Sequence, residues 1–170
     1  MRAVVIDAFG AFERAELREV PDPNPQANEI LVEIHATAAN FVDLLLIAGQ
    51  HQSRPALPFI PGKGPAGIVR AVGSNVTSFA ISDRVVAMCE PGGGYAELIA
   101  VPAAQCHPMP PSLSFVDAAS MALVYDTAWF ALCERGRFQT GETVLVLGAS
   151  GGVGLAAVQL AKALGAQVLA

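Results

Sequence analysis

The sequence predicts an α+β chain that turns α/β at its end: short strands closing a partly open β-barrel, then the first β-α-β unit of a parallel sheet. Three observations predict this. The first two thirds alternate β-branched segments with turn clusters, the last third changes to one apolar strand and one apolar helix, and a glycine-dense turn joins those two.

Taking the elements in order, "RAVVID", "AELREV", "EILVEIHATA", "PAGIVRAVG", "DRVVAM" and "YAELIAVP" read as strands, bounded by clusters such as "PDPNPQAN" and "EPGGG". One short helix interrupts them in "NFVDLLLIAG", where Asn40 and Asp43 have N-cap and N3 spacing and Gly49 marks the stop. Ser114 and Asp117 repeat that spacing ahead of a second helical region that ends at Gly136. "ETVLVLG" is then a fully apolar strand, "GGVGLAAVQLAKALG" a helix, and "AQVLA" the start of another strand. The changeover falls near residues 123–135, which gives a barrel domain over 1–125 and the opening of a parallel α/β domain over 126–170.

Composition agrees with a packed core. The 170 residues are 53% hydrophobic and 15% charged, with mean hydropathy +0.47, too apolar for a disordered chain. The net charge is −5 and only Lys63 and Lys162 are lysines among ten basic residues. No basic stripe is available for nucleic-acid phosphates, so nucleic acid is excluded as a partner. No continuous apolar run reaches the ~18 residues that span a bilayer, and Asp7 and Glu13 interrupt the N-terminal segment where a secretory leader is apolar. A cytoplasmic chain without a membrane partner is the expectation. Cys89, Cys106 and Cys133 are odd in number and far apart, which suggests neither a disulfide framework nor a metal knuckle.

The turn reads A-x-G-x-x-G through Ala149, Gly151 and Gly154. Such a turn bends sharply from strand to helix, lets backbone approach a pyrophosphate, and brings helix close to strand, with the helix N-terminal amides facing the phosphate. Ser150, Gly151, Gly152, Val153 and Gly154 are the candidate phosphate-binding residues. The residue that reads the adenosine ribose comes ~20 residues further on, at or past Ala170, so the residues present do not separate NAD from NADP.

"TGETVLVLGASGGVGLAAVQLAKALGAQVLA", with "NFVDLLLIAG", "LPFIPGKGPAGIVRAVGSNV", "DRVVAM", "GGGYAELIAVPA" and "DTAWFAL", resembles the quinone oxidoreductase branch of the medium-chain dehydrogenase/reductase superfamily over essentially the whole chain. The resemblance implies a GroES-like barrel, a Rossmann domain, and NADPH as the cofactor, with hydride passed to a quinone or an α,β-unsaturated carbonyl as the small-molecule partner. It also implies a homodimer for the full-length protein and, since such relatives are about twice as long, that this is the N-terminal half. Helix 152–164, whose polar residues are Gln159 and Lys162, then expects cover on both sides.

The same resemblance sorts the site. The catalytic-zinc slots of related alcohol dehydrogenases hold Asn40, Lys63 and, by a looser alignment, Leu123, and a glutamate beside them is replaced by Gly64. None of these is a zinc ligand, which implies a zinc-independent reduction of a conjugated acceptor that itself delocalises the developing charge. Asn40 is the first catalytic candidate: it caps a helix, and the resemblance places its amide near the nicotinamide ribose and the substrate carbonyl. Asp43 reads as its capping partner rather than a proton donor. His51 is the second, standing where relatives carry a pocket tyrosine; it is either a proton donor to an enolate or hydroquinone oxygen or a loop-surface histidine. Thr127 is either a residue close to the nicotinamide or a mid-helix threonine bonded to its own backbone. His35 and His107 read as structural, Tyr125, Trp129 and Phe130 as helix-face core, and Tyr95 as packing. Two other readings stay open: an enoyl-thioester reductase, and a non-catalytic truncated barrel module.

Overall fold

A computed structural model describes all 170 residues, in two compact units, Met1–Ser120 and Met121–Ala170.

In the first unit, β1 (Arg2–Val5) pairs antiparallel with β2 (Glu16–Glu19). A five-stranded antiparallel sheet follows, built from β3 (Glu29–Ala36), β4 (Ala66–Val72), β5 (Arg84–Ala87), β6 (Leu98–Pro102) and β7 (Cys106–Pro108) in the order β6-β3-β4-β5-β7. Each predicted strand segment of the first two thirds contains one of β1 to β6, whereas β7 and the short 3-10 turns Phe12–Arg14 and Ala103–Gln105 were not anticipated. Alternation along the strands sends Ile30, Val32, Val69, Val85 and Val101 to one shared core with Cys89 and Cys106. Burying each such branched side chain stabilises the fold by about 1.5–3 kcal/mol before chain entropy is counted. β1 does not join the five-stranded sheet as a full ladder. It touches the barrel through isolated bridges: Val4 N–H to Tyr95 O at 2.8 Å, Glu97 N–H to Arg2 O at 3.1 Å and, just past β1, a reciprocal pair between Ile6 and Phe59 at 2.9 and 3.1 Å, so the barrel is partly open.

α1 (Phe41–Ile47) packs Leu46 and Ile47 against Ile6 and Phe59, and Gly49 follows with φ +68°. α2 (Phe115–Trp129) starts where Ser114 accepts the Asp117 N–H at 3.0 Å, and its residues to Ser120 belong to the first unit. Ala118 and Ala119 there pack with Ala66 and Met109.

In the second unit α2 continues into a π-helical stretch, Phe130–Arg135, that ends at Gly136. β8 (Thr143–Leu145) and β9 (Gln167–Leu169) pair in parallel, and α3 (Gly152–Ala163) is the crossover between them, as the period change requires.

The predicted second helical region is one run of 21 residues, Phe115–Arg135, within which an 18-residue window has mean hydropathy 1.2, by length and composition alone enough to cross a membrane. Its opening turns are part of the barrel core through Ala118 and Ala119, a burial that a bilayer span would forgo. Trp129 and Phe130, expected as core, are 45% and 49% exposed, because nothing in their unit covers that face; the Arg135 guanidinium lies 5.0 Å from the Phe130 ring centre.

Candidate functional site

Of the predicted residues, Asn40 lines a cleft in the first unit, and Gly151, Val153 and Gly154 line another in the second.

The first is a cleft of about 450 Å³ at the start of α1, walled by apolar side chains that include Val4, Phe12, Leu44 and Ile47, with Asn40, Asp43 and Tyr95 as its polar members. Asn40 begins the helix in extended backbone, and Asp43, one turn on, is 2% exposed. The Asp43 carboxylate accepts the Asn40 N–H at 2.9 Å, the Tyr95 hydroxyl at 2.9 Å and the Gly62 N–H at 3.2 Å. Asp43 is thus more than the capping partner that spacing suggests, and Tyr95 is more than packing. Burial first, and then the adjacent carboxylate, push the Tyr95 phenol well above its ordinary value, so it stays protonated. The Asn40 side chain donates from Nδ2 to the Ala38 carbonyl at 3.2 Å.

The loop that bears Lys63 and Gly64 is locked to the loop "EPGGG". Gly94 N–H bonds Gly62 O at 2.9 Å and Tyr95 N–H bonds Pro61 O at 2.9 Å. Gly62, at φ +97°, has Tyr95 where a Cβ would stand, 2.4 Å from Cδ1, so no larger residue fits there. The Lys63 ammonium is buried and pairs with the Glu90 carboxylate. Asn40 offers an amide and the Lys63 ammonium is engaged by Glu90; neither is among the thiolate, imidazole and carboxylate groups that bind zinc.

His51 is not among the residues lining this cleft. Its Nδ1 accepts the Ser53 N–H at 3.1 Å, a bond within its own loop. His35 stacks on Phe115 with ring centres 4.6 Å apart and lies 3.3 Å from Glu33, and His107 is an exposed residue of β7.

The second cleft, of about 490 Å³, lies along the glycine turn and is lined by Leu145, Leu147, Gly148, Gly151, Val153 and Gly154 among others. A Cβ on Gly154 would meet the Gly148 carbonyl oxygen at 2.2 Å, so α3 approaches the end of β8 as closely as backbone allows. A Cβ on Gly151 would find only that oxygen, at 3.5 Å, and otherwise open space. Gly152 lies against Val124, at 3.1 Å from a Cβ, and Ser150 is exposed on the turn. Because the first amides of a helix have no partner within it, the Gly152, Val153 and Gly154 N–H groups are left for a ligand at the open side of Gly151. A phosphate-bearing group fits this cradle. Thr127 is exposed and donates its hydroxyl to the Leu123 carbonyl at 2.8 Å, one turn back along α2.

Residues 26–111 match the family of the alcohol dehydrogenase GroES-like domain. The quinone oxidoreductase of Mus musculus is 41% identical over 170 residues, covering 99% of this chain and 51% of the relative, and that of Homo sapiens is 39% identical over 99% and 52%. This chain belongs to the family of the alcohol dehydrogenase GroES-like domain, and over its whole length it is similar to quinone oxidoreductases. Among solved structures, the quinone oxidoreductase of Pseudomonas syringae superposes with TM-score 0.90 at 34% identity, covering 98% of this chain and 51% of that one. The Escherichia coli quinone oxidoreductase complexed with NADPH gives 0.90 at 34% identity, over 99% and 51%. The chain spans about half the length of the curated relatives it matches.

Proposed function

We propose that this chain supplies the barrel and the phosphate-binding turn of an NADPH-dependent, zinc-independent oxidoreductase that reduces quinones or α,β-unsaturated carbonyls. The observation that carries the reading is the turn itself: Gly154 seals helix to strand while Gly151 faces open space, in a chain 41% identical to a quinone oxidoreductase. A relative of the same branch with TM-score 0.90 has been solved with NADPH, which supports that cofactor.

When bound, NADPH supplies the hydride. Ser150, Gly151, Gly152, Val153 and Gly154 hold the pyrophosphate with main-chain amides and the positive end of α3. The cleft beside Asn40 takes the flat, apolar acceptor, and the Asn40 amide hydrogen-bonds its carbonyl oxygen as charge gathers there. His51 does not line this cleft and its Nδ1 accepts the Ser53 N–H, so the nitrogen it would offer as a proton donor is Nε2. Thr127 is proposed to stand near the nicotinamide once its bond to Leu123 is exchanged. The full-length protein is proposed to act as a cytoplasmic homodimer.

Transfer of nicotinamide fluorescence on mixing the full-length protein with NADPH or NADH, followed by turnover with a quinone, an enone and an enoyl thioester, tests the reading. Failure to bind NADPH overturns it. Preference for the thioester moves the protein to the enoyl reductases.

A further inference from the structure

We infer that Asp43 is a positioning residue, and that it leaves the Asn40 amide as the free hydrogen-bond donor of the acceptor cleft. The inference rests on the function proposed above and specifies how its cleft is arranged.

Asp43 is a buried anion without a cationic partner; its three donors are the Asn40 N–H, the Gly62 N–H and the Tyr95 hydroxyl. These come from the start of α1, the loop after Pro61 and the loop before β6, parts of the chain that share no ladder. A carboxylate can accept all of them, whereas an amide of the same shape offers one oxygen and turns an NH₂ toward a donor. Burial makes such a mismatch costly, so the charge at Asp43 sets where the three elements meet.

The hydroxyl of Tyr95 has one proton and two candidate acceptors, the Asp43 carboxylate at 2.9 Å and the Ala38 carbonyl at 3.4 Å. The shorter, charge-assisted bond takes it. Tyr95 therefore faces the cleft as an acceptor and has no proton to give a ligand. Ala38 O also receives one Nδ2 hydrogen of Asn40 at 3.2 Å, which fixes the orientation of that amide and leaves its second Nδ2 hydrogen unclaimed. In a cleft whose remaining walls are mostly apolar, the one oriented N–H favours a ligand that brings a hydrogen-bond acceptor on a flat apolar body. A quinone or enone carbonyl meets that requirement.

The test uses the full-length protein with D43N, Y95F and the double variant, following kcat and KM for a quinone and, separately, KM for NADPH. D43N is expected to lower kcat/KM for the quinone by ~10–100-fold, the effect of misplacing a binding group by a fraction of an ångström to an ångström, with KM for NADPH little changed. Y95F is expected to lower it less, because Asp43 keeps the Asn40 and Gly62 donors, and to add nothing once D43N is present. A purely structural role predicts a fall in kcat that follows the folded fraction, unchanged KM for the quinone, and effects that multiply in the double variant; that result overturns the inference. So does a D43N protein that keeps its kcat/KM. Should D43N not fold, Y95F decides: a several-fold fall in kcat/KM for the quinone supports the inference and an unchanged value overturns it. Unaltered protein that oxidises no NADPH with any acceptor overturns the functional reading and the inference together, whereas active unaltered protein with unimpaired variants overturns the inference alone.

Discussion

Gly154 and Gly148 approach so closely that a Cβ on the first would stand 2.2 Å from the carbonyl oxygen of the second, while the neighbouring Gly151 has that same oxygen at 3.5 Å and nothing else nearby. The two glycines are therefore required for different reasons. Gly154→Ala forces α3 away from β8 and is expected to destabilise the second unit by about 1–3 kcal/mol, in the manner of an overpacked core. Gly151→Ala meets no clash, and its φ of −79° suits alanine. It is expected to cost no more than about 1 kcal/mol, as a change at a helix N-cap, yet to abolish NADPH binding by filling the space that the pyrophosphate needs. Urea denaturation and fluorescence titration of both variants separate the two effects; equal stability losses would show that the turn is merely structural.

Lys63 and Glu90 give a second contrast. The lysine side chain is 6% exposed and the glutamate 60%, so the ammonium carries most of the desolvation. Glu90→Gln leaves a buried cation with a weaker acceptor and is expected to destabilise by ~1–2 kcal/mol, moderated by solvent at Glu90. Lys63→Met replaces the buried charge with an apolar chain of similar length and is expected to be neutral or stabilising. Thermal midpoints of the two variants check this, and a larger loss for Lys63→Met would mean that the ammonium holds the loop.

The thiols differ by environment. Burial raises Cys89 from 9.0 to about 11 and Cys106 from 9.0 to about 12, whereas Cys133 is only partly buried. At about pH 8 a thiol reagent is expected to modify Cys133 first, with Cys89 and Cys106 reacting only after unfolding, since the thiolate is the reactive form. Both folded-state values lie above the unfolded ones, so the native state keeps these protons longer. Their contribution to stability is complete below about pH 9 and is lost as pH rises through the folded values, and the raised Tyr95 adds in the same direction. Urea midpoints that held steady from about pH 8 to about pH 11 would contradict this.

These contrasts depend on how far each feature could be read from the sequence. The Gly151 and Gly154 turn was legible because its chemistry is local: strand, turn and helix are contiguous, and the glycine spacing reflects one backbone contact. The Asn40–Asp43 and Ser114–Asp117 spacings were legible for the same reason, and both carboxylates close on bonds three residues away. The second role of Asp43 was not, because Tyr95 lies 52 residues further along and Gly62 lies 19; nothing in either local pattern couples them. A signal existed in the glycines that flank Tyr95 and Lys63, whose loops lock through main-chain bonds and so bring a phenol to a buried carboxylate. The exposure of Trp129 and Phe130 was illegible because apolar letters report what prefers burial, not what provides it.

That last point carries the final prediction. In the second unit Leu145, Leu147 and Leu169 are 65%, 85% and 52% exposed, and Val153 and Leu155 on α3 are exposed as well. β8 and β9 pair only with each other, so each presents a free edge beside this apolar surface. A patch of that kind on a two-stranded parallel sheet gains more by covering itself than by staying in water. The 170-residue polypeptide produced alone is therefore expected to self-associate through its second unit. Sedimentation should give a weight-average mass that rises with concentration, and Leu147→Lys should reduce it by placing a charge where the leucine is most exposed. A monomer at every concentration, with no binding of an apolar dye, would mean that these side chains find cover within the chain itself.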